Sequence, residues 1–95
     1  MAKQEKLVFG LLGCGRIGTR HAGHIVDHGV LGAVCDIDKE KADDLAAKYK
    51  VKAYYSLSDM LAGEKDIDVI SICTPNGLHA AHSIASLNAG KHVLC

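Results

Sequence analysis

Short apolar runs and longer segments with helical spacing alternate along this chain from residue 6 to its end. The first run, Lys6 to Leu12 (KLVFGLL), is almost continuously apolar, which is typical of a strand buried on both faces of a parallel sheet. Similar runs predict four further strands, at Val30 to Cys35, Val51 to Tyr55, Ile67 to Cys73 and His92 to Cys95.

The segments between these runs have the spacing of amphipathic helices. Ser56 to Asp59 resembles a capping box that opens a brief helix, and Gly29 is placed to cap the first long helix at its C-terminus. The spacing predicts the long helices at Arg16 to about His28, Lys39 (after Asp38 as N-cap) to about Tyr49, and Leu78 to about Asn88. Strands alternating with helices predict an α/β fold, a Rossmann-like doubly wound parallel sheet with five strands in the order 3-2-1-4-5.

A glycine-rich loop lies between the first predicted strand and the first predicted helix. Gly13-Cys14-Gly15-Arg16-Ile17-Gly18 matches G-x-G-x-x-G, and this strand–loop–helix context indicates a dinucleotide site although ten glycines make an isolated match weak. In such a loop Gly13 allows the tight turn, Gly15 lets the backbone approach a pyrophosphate, and Gly18 lets helix and strand pack closely. The N–H groups and positive dipole at the helix N-terminus favour phosphate charge.

An acidic residue, Asp36, ends the second predicted strand eighteen residues after Gly18. There a carboxylate can accept hydrogen bonds from the adenosine ribose hydroxyls, and it repels a 2′-phosphate. No arginine follows it, so NAD is favoured over NADP, although Lys39 leaves NADP open. Two alternatives are a nucleotide-free α/β domain with a glycine turn and a methyltransferase that uses S-adenosylmethionine. Methyltransferase loops usually lack the three-glycine spacing, since they cradle no pyrophosphate.

A second loop, Thr74-Pro75-Asn76, follows the fourth predicted strand. Ligands of doubly wound sheets bind where the strand order reverses, here between strands one and four, so this loop should face the nicotinamide half of the cofactor. Thr74 offers a hydroxyl, and Asn76 can cap the next helix or reach the ribose. On local grounds the simpler interpretation, in which Pro75 and Asn76 only end a strand and start a helix, stays open.

Composition and charge exclude several function classes. The chain is 48% hydrophobic and 23% charged, which excludes a disordered chain. Eleven Lys and Arg balance eleven Asp and Glu, which argues against a nucleic-acid partner and a membrane-surface protein. No apolar run approaches the roughly 18–20 residues of a membrane span, and the charged start is no export signal. We expect a cytoplasmic protein.

Cysteine and histidine spacing predicts neither a disulfide framework nor a metal site. The four cysteines, Cys14, Cys35, Cys73 and Cys95, lie about twenty or more residues apart and sit in or beside apolar runs. That spacing favours reduced, packed thiols. Three histidines, His21, His24 and His28, fall on one face of the first helix, but no carboxylate or thiol is placed to complete a metal site.

Three stretches of the chain resemble the N-terminal half of the Gfo/Idh/MocA oxidoreductases, a family that includes glucose–fructose oxidoreductase and inositol dehydrogenase. They are GLLGCGRIGTRHAGHI, AVCDIDKEKADDLAAKY and DVISICTPNGLHAAHSIASLNAGKHVLC. The most specific part is T-P-N-x-x-H followed by A-G-K-H-V-L-C. The resemblance implies an NAD site in which residues of the first two stretches hold pyrophosphate and adenosine and the T-P-N-x-x-H block lines the rest. Its residues are Gly13, Gly15, Arg16, Ile17, Gly18, Asp36, Ile37, Thr74, Pro75, Asn76 and His79.

The same resemblance implies a parent protein longer than this chain. In the family a Glu-Lys-Pro motif follows the strand that here ends at Cys95, and a histidine of a second domain is often the acid/base. We therefore expect residues 1–95 to be one dinucleotide-binding domain that lacks its last strand, the C-terminal substrate domain and every catalytic residue. The parent would transfer hydride between nicotinamide and a carbon of a sugar, polyol or nucleotide sugar, and would be a homo-oligomer through the missing domain. The alternative is a non-catalytic nucleotide-binding module that acts with a partner chain.

Overall fold

The computed structural model describes residues 7–74 and 79–94 of the chain. Strands and helices alternate through these ranges, as the hydrophobic pattern predicts. In chain order the elements are β1 Val8–Leu12, α1 Arg16–His28, β2 Val30–Cys35, α2 Lys39–Tyr49, β3 Lys52–Tyr54, α3 Leu57–Gly63, β4 Val69–Ile72, α4 His79–Asn88 and β5 His92–Leu94. None of the described helices is long and apolar enough to cross a bilayer.

All five strands are parallel and form one sheet in the order β3-β2-β1-β4-β5, which confirms the predicted topology. The central strands are apolar because both faces of the sheet are covered, and β4 is buried along its whole length. One face packs against α1 and α2 around Leu11 and Val34, and the other packs around Met60 and Ile70. The order reverses between β1 and β4, so a crevice opens beyond the carboxyl ends of these strands.

The strand bounds differ from the predicted ones by one or two residues at several ends. β4 begins at Val69 rather than Ile67, because the Ile67 amide donates to the Glu64 carbonyl and closes the turn after α3. Ile67 is nevertheless buried, which is why it looks like part of the strand in sequence. β3 spans only Lys52–Tyr54 instead of the predicted 51–55.

Three helix starts determine which backbone N–H groups remain available. Asp38 caps α2, since its Oδ1 accepts hydrogen bonds from the amides of the second and third helical residues at 3.1 and 3.4 Å. Ser56 caps α3 by accepting from the Asp59 amide at 3.2 Å. Both caps confirm the sequence prediction. In contrast, α1 follows Gly15 and has no side-chain cap and no acidic residue in its first turn.

Gly29 ends α1 as predicted, but it does not adopt the left-handed conformation for which glycine is usually favoured at this position. Its amide donates to the Ile25 carbonyl at 2.7 Å, and its φ of −160° is extended backbone that any residue adopts. A Cβ at this position would lie 2.9 Å from the Leu7 carbonyl oxygen and 3.0 Å from the Phe9 ring. Space between α1 and β1, rather than backbone conformation, therefore requires glycine there.

Candidate dinucleotide site

The glycine loop turns so tightly that two of its glycines cannot carry a side chain. Gly13 has a φ of +101°, and a Cβ on it would lie 2.7 Å from the Cys73 carbonyl oxygen at the end of β4. A Cβ on Gly18 would overlap the Gly13 carbonyl oxygen. The Gly13 amide also donates to the Cys35 carbonyl at 2.8 Å, which fastens the loop to β2. The sequence assigned Gly13 to the turn and Gly18 to close packing, and the geometry agrees with both assignments.

Gly15 differs from the other two glycines because it faces open space. Its φ is −76°, and no atom lies within 4 Å of the position that a Cβ would occupy. It immediately precedes the uncapped first turn of α1, where the N–H groups and the positive end of the helix dipole attract anions. A phosphate group could therefore approach the backbone here only while the position has no side chain.

The Asp36 carboxylate joins the two turns that border the crevice. Its Oδ2 accepts a hydrogen bond from the Cys14 amide at 2.8 Å, and its Oδ1 accepts one from the Asp38 amide at 2.9 Å. An ionised carboxylate has about four lone-pair positions, so each oxygen keeps capacity for one more donor. Asp36 is half-buried at the crevice and can accept hydrogen bonds from ribose hydroxyls there.

A cleft of about 410 Å³ lies beyond the carboxyl ends of β1, β2 and β4, within the volume range usual for small-molecule sites. It contains five of the residues that the sequence placed in the site, namely Gly13, Gly15, Asp36, Ile37 and Thr74. Its remaining walls come from Leu12, Cys35, Asp38, Lys41, Ser56, Leu57, Cys73 and His82.

The other predicted site residues lie elsewhere. Arg16 and Ile17 are in the first turn of α1 with exposed side chains, Ile17 to 63%, and Gly18 is buried behind the loop. Pro75 and Asn76 are outside the described residues. The predicted set is therefore only partly brought together in the cleft.

Two histidines hold Thr74 at the nicotinamide end of the predicted site. His79 does not line the cleft; its Nε2–H donates to the Thr74 carbonyl oxygen at 2.6 Å. His82, which is not among the predicted site residues, does line the cleft, and its Nδ1 lies 3.1 Å from the Thr74 hydroxyl. Burial, followed by the charge of His79, lowers the pKa of His82. Its only sequence signal is the three-residue spacing from His79, which places both rings on one side of α4.

Among the described residues, Lys41 lines the cleft and Lys39 does not. The Lys39 ammonium lies 5.2 Å from the centre of the Tyr55 ring, and the Tyr55 hydroxyl donates to Asp43 at 2.6 Å. Lys41 lies one turn after Asp38 and lines the cleft beside Asp36. The sequence analysis named Lys39 as the residue that leaves NADP open; in the structure Lys39 lies over Tyr55 and does not line the cleft.

The thiols behind the loop are packed groups. Burial first, and then the charge of Asp36, raise the pKa of Cys14 and of Cys35 to about 12. The Cys14 thiol donates to the Cys35 carbonyl oxygen at 3.4 Å. In residues 7–74 and 79–94, no three His, Cys, Asp or Glu side chains come together to hold a metal ion.

Comparison with known proteins gives one family. A family model described as an oxidoreductase family with an NAD-binding Rossmann fold, GFO_IDH_MocA, matches residues 7–95. The myo-inositol 2-dehydrogenase of Thermotoga maritima is 31% identical over 88 residues, which are 90% of this chain and 26% of that protein. The 4-carboxy-2-hydroxymuconate-6-semialdehyde dehydrogenase of a Sphingobium species is 37% identical over 86 residues, 87% of this chain and 27% of that protein.

A solved structure extends the comparison to three dimensions. The WlbA dehydrogenase from Bordetella pertussis, crystallised in complex with NADH and UDP-GlcNAcA, matches with a TM-score of 0.87 at 39% identity. The match covers 94% of this chain and 28% of that one. The chain thus spans about a quarter of the length of the relatives it matches.

Proposed function

Because this chain belongs to the Gfo/Idh/MocA oxidoreductase family and has its NAD-binding Rossmann fold, we propose that it is the cofactor-binding portion of an NAD-dependent dehydrogenase. The parent protein oxidises a secondary alcohol of a sugar, polyol or nucleotide sugar to a ketone. Bound NAD supplies the hydride acceptor for that chemistry, and a proton is released with each turnover. Relatives named as inositol and nucleotide-sugar dehydrogenases support this substrate class.

One observation supports the proposal most strongly: the uncapped start of α1 and the Asp36 carboxylate border the same cleft. The first attracts phosphate, and the second accepts hydrogen bonds from vicinal hydroxyls. A dinucleotide carries both groups in adjacent positions. The open space at Gly15 then gives the pyrophosphate room to approach the backbone.

Within the proposed site each residue has a binding or orienting role. Gly13 and Gly18 shape the loop, Gly15 leaves the phosphate position open, and Arg16 and Ile17 begin the helix whose N–H groups face the phosphate. Asp36 holds the adenosine ribose, with Ile37 beside it. Thr74, together with Pro75, Asn76 and His79, belongs to the nicotinamide side. No residue of the chain is assigned to catalysis.

The remaining expectations concern the whole protein. We propose that residues 1–95 form one dinucleotide-binding domain, that the parent is a homo-oligomer through a C-terminal substrate domain, and that it is cytoplasmic. The buried, reduced thiols of Cys14 and Cys35 support a reducing compartment.

The test uses the protein expressed from its complete reading frame. Calorimetric titration compares NAD with NADP, and NADH formation is then followed with myo-inositol, scyllo-inositol and a UDP-linked N-acetylhexosamine. The proposal expects tighter binding of NAD than of NADP and turnover with at least one member of this panel. NAD binding without turnover on any polyol or sugar would favour the non-catalytic module instead, and absence of NAD binding would overturn the proposal.

A further inference from the structure

The hydroxyl of Thr74 and the ring of His82 form one polar unit in the wall of the cleft. Thr74 Oγ1 and His82 Nδ1 are 3.1 Å apart, and both residues line the cleft. Thr74 follows β4 directly, and His82 is in the first turns of α4, so the contact joins the strand to the helix that follows it. The nicotinamide half of a dinucleotide is expected on this side of the switch point.

Two further hydrogen bonds fix both partners of this contact. His79 donates to the Thr74 carbonyl oxygen at 2.6 Å, which holds the backbone of Thr74. The Ser86 hydroxyl donates to the His82 carbonyl oxygen at 2.8 Å, and Ser86 is fully buried. Because the backbone is held on each side, the contact between the hydroxyl and the imidazole has a defined geometry.

The protonation state and the tautomer of His82 together decide whether Nδ1 donates or accepts in this contact. Burial, and the charge of His79 next to it, lower the pKa of His82, which favours the neutral ring. A neutral imidazole has one nitrogen that donates and one that accepts. If Nδ1 accepts, the single hydroxyl hydrogen of Thr74 is used, and Oγ1 has only lone pairs left for a ligand.

We propose that His82 is a positioning residue: by accepting the Thr74 hydroxyl hydrogen at Nδ1, it makes Thr74 Oγ1 an obligate acceptor, which selects the N–H of the nicotinamide carboxamide. This inference rests on the proposed function and deepens it. His82 contacts Thr74, which is proposed to bind the nicotinamide carboxamide, and takes no part in hydride transfer itself. The carboxamide has an NH₂ group and a C=O group. An acceptor in the cleft wall therefore also determines which of these two groups points towards Thr74.

The experiment compares two dinucleotides that differ at this one group. The 3-acetylpyridine analogue of NAD keeps the carbonyl but replaces the NH₂ by a methyl group. Dissociation constants for NAD and for the analogue are measured by calorimetry on the protein expressed from its complete reading frame. His82→Leu removes the Nδ1 acceptor, and His82→Asn keeps an oxygen acceptor near that position. His28→Leu, at the exposed end of α1, is the matched control.

We expect the wild type and His28→Leu to bind NAD about three- to tenfold more tightly than the analogue, the range of one neutral hydrogen bond. In His82→Leu this ratio falls to about one, and His82→Asn restores it. A ratio near one in the wild type, or an unchanged ratio in His82→Leu, overturns the role of His82 while leaving NAD binding intact. Failure of the wild type to bind either dinucleotide overturns the proposed function as well.

A second readout examines the contact directly. Imidazole ¹⁵N chemical shifts of the ligand-free protein report which nitrogen of His82 carries the proton. The proposal expects protonation at Nε2 and a bare Nδ1, and Thr74→Val should change the Nδ1 shift. Protonation at Nδ1 in the wild type would reverse the direction of the hydrogen bond and overturn the inference.

Discussion

Asp36 and Cys14, 22 residues apart in the chain, are joined by a hydrogen bond of 2.8 Å from the Cys14 amide to the Asp36 carboxylate. The bond ties the end of β2 to the glycine loop, and the second oxygen of Asp36 holds the Asp38 amide. The residue proposed to hold the ribose therefore also positions the loop proposed to hold the phosphates. Binding and local structure are coupled through one side chain.

Replacing Asp36 by alanine should affect both properties. Two backbone amides lose their acceptor, so we expect the free energy of unfolding to fall by about 1–2 kcal/mol in urea denaturation. NAD binding should weaken about tenfold or more, because hydrogen bonds to a charged acceptor are lost. Asp27→Ala, on the exposed side of α1, is the control and should change neither quantity. Wild-type stability in Asp36→Ala would contradict the positioning role.

The loop glycines should separate folding from binding. Gly13→Ala forces a side chain into a φ of +101° and against the Cys73 carbonyl, so it should destabilise the protein by about 2 kcal/mol or more. Gly15→Ala meets no atom within 4 Å and should leave the urea midpoint nearly unchanged. Gly15→Val should still fold, because its Cβ meets open space, and should lose NAD binding in calorimetry. Full NAD affinity in Gly15→Val would rule out a phosphate at this position.

Lys41 should determine how the site responds to a 2′-phosphate. Asp36→Ser removes the repelling carboxylate, and we expect it to raise the affinity for NADP relative to NAD. Adding Lys41→Ala should reverse this gain by about tenfold, since a charged hydrogen-bond donor at the cleft is lost. Adding Lys39→Ala should change NADP affinity less than twofold, because Lys39 lies over Tyr55. Equal effects of the two lysine variants in a fluorescence titration would contradict this assignment.

The buried thiols predict a loss of stability in alkaline solution. Folding raises the pKa of Cys14 and Cys35 from 9.0 to about 12, so between these pH values the unfolded chain has lost protons that the folded one keeps. The contribution of these two thiols to the free energy of unfolding is complete below pH 9 and is lost as the pH rises through about 12. The urea midpoint should therefore be lower at pH 10.5 than at pH 8. Cys14→Ala with Cys35→Ala should have a shallower slope, and a slope equal to that of the wild type would contradict the argument.

Much of the fold could be predicted because local signals and packing agree. Both faces of the sheet are covered, so β1 and β4 are continuous apolar runs, and Asp38 and Ser56 mark helix starts because their short polar side chains are favoured at N-caps. The predicted bounds were wrong where a residue is buried without belonging to a strand. Ile67 is an example, since it is buried but precedes β4. Lys50 adopts a left-handed φ of 58° at the end of α2, and nothing in a lysine side chain signals that conformation.

The part of the candidate site that lies within the first βαβ unit was predictable from the sequence, and the part that helix packing brings to the cleft was not. G-x-G-x-x-G and Asp36 follow one βαβ unit in sequence, so spacing alone locates them. Whether Lys41 and His82 line the cleft depends on how α2 and α4 are rotated about their axes against the sheet. The rotation of α2, for example, places Lys41 and not Lys39 at the cleft. For the same reason His79, at the family's position, turns to the backbone of Thr74, and its neighbour on the helix meets the hydroxyl.

Two hydrogen bonds at opposite ends of β1 have consequences for the order of folding. The Cys14–Asp36 bond spans 22 residues, whereas the Val8–Asp68 bond that helps to join β1 and the start of β4 spans 60. Closing the shorter loop loses less chain entropy, so we expect the β1–α1–β2 unit, with its glycine loop, to form before β4 docks. The wall that holds Thr74 and His82 would then assemble last. In an intermediate between these two steps, the glycine loop would already be formed while the opposite wall of the cleft, with Thr74 and His82, is still unfolded.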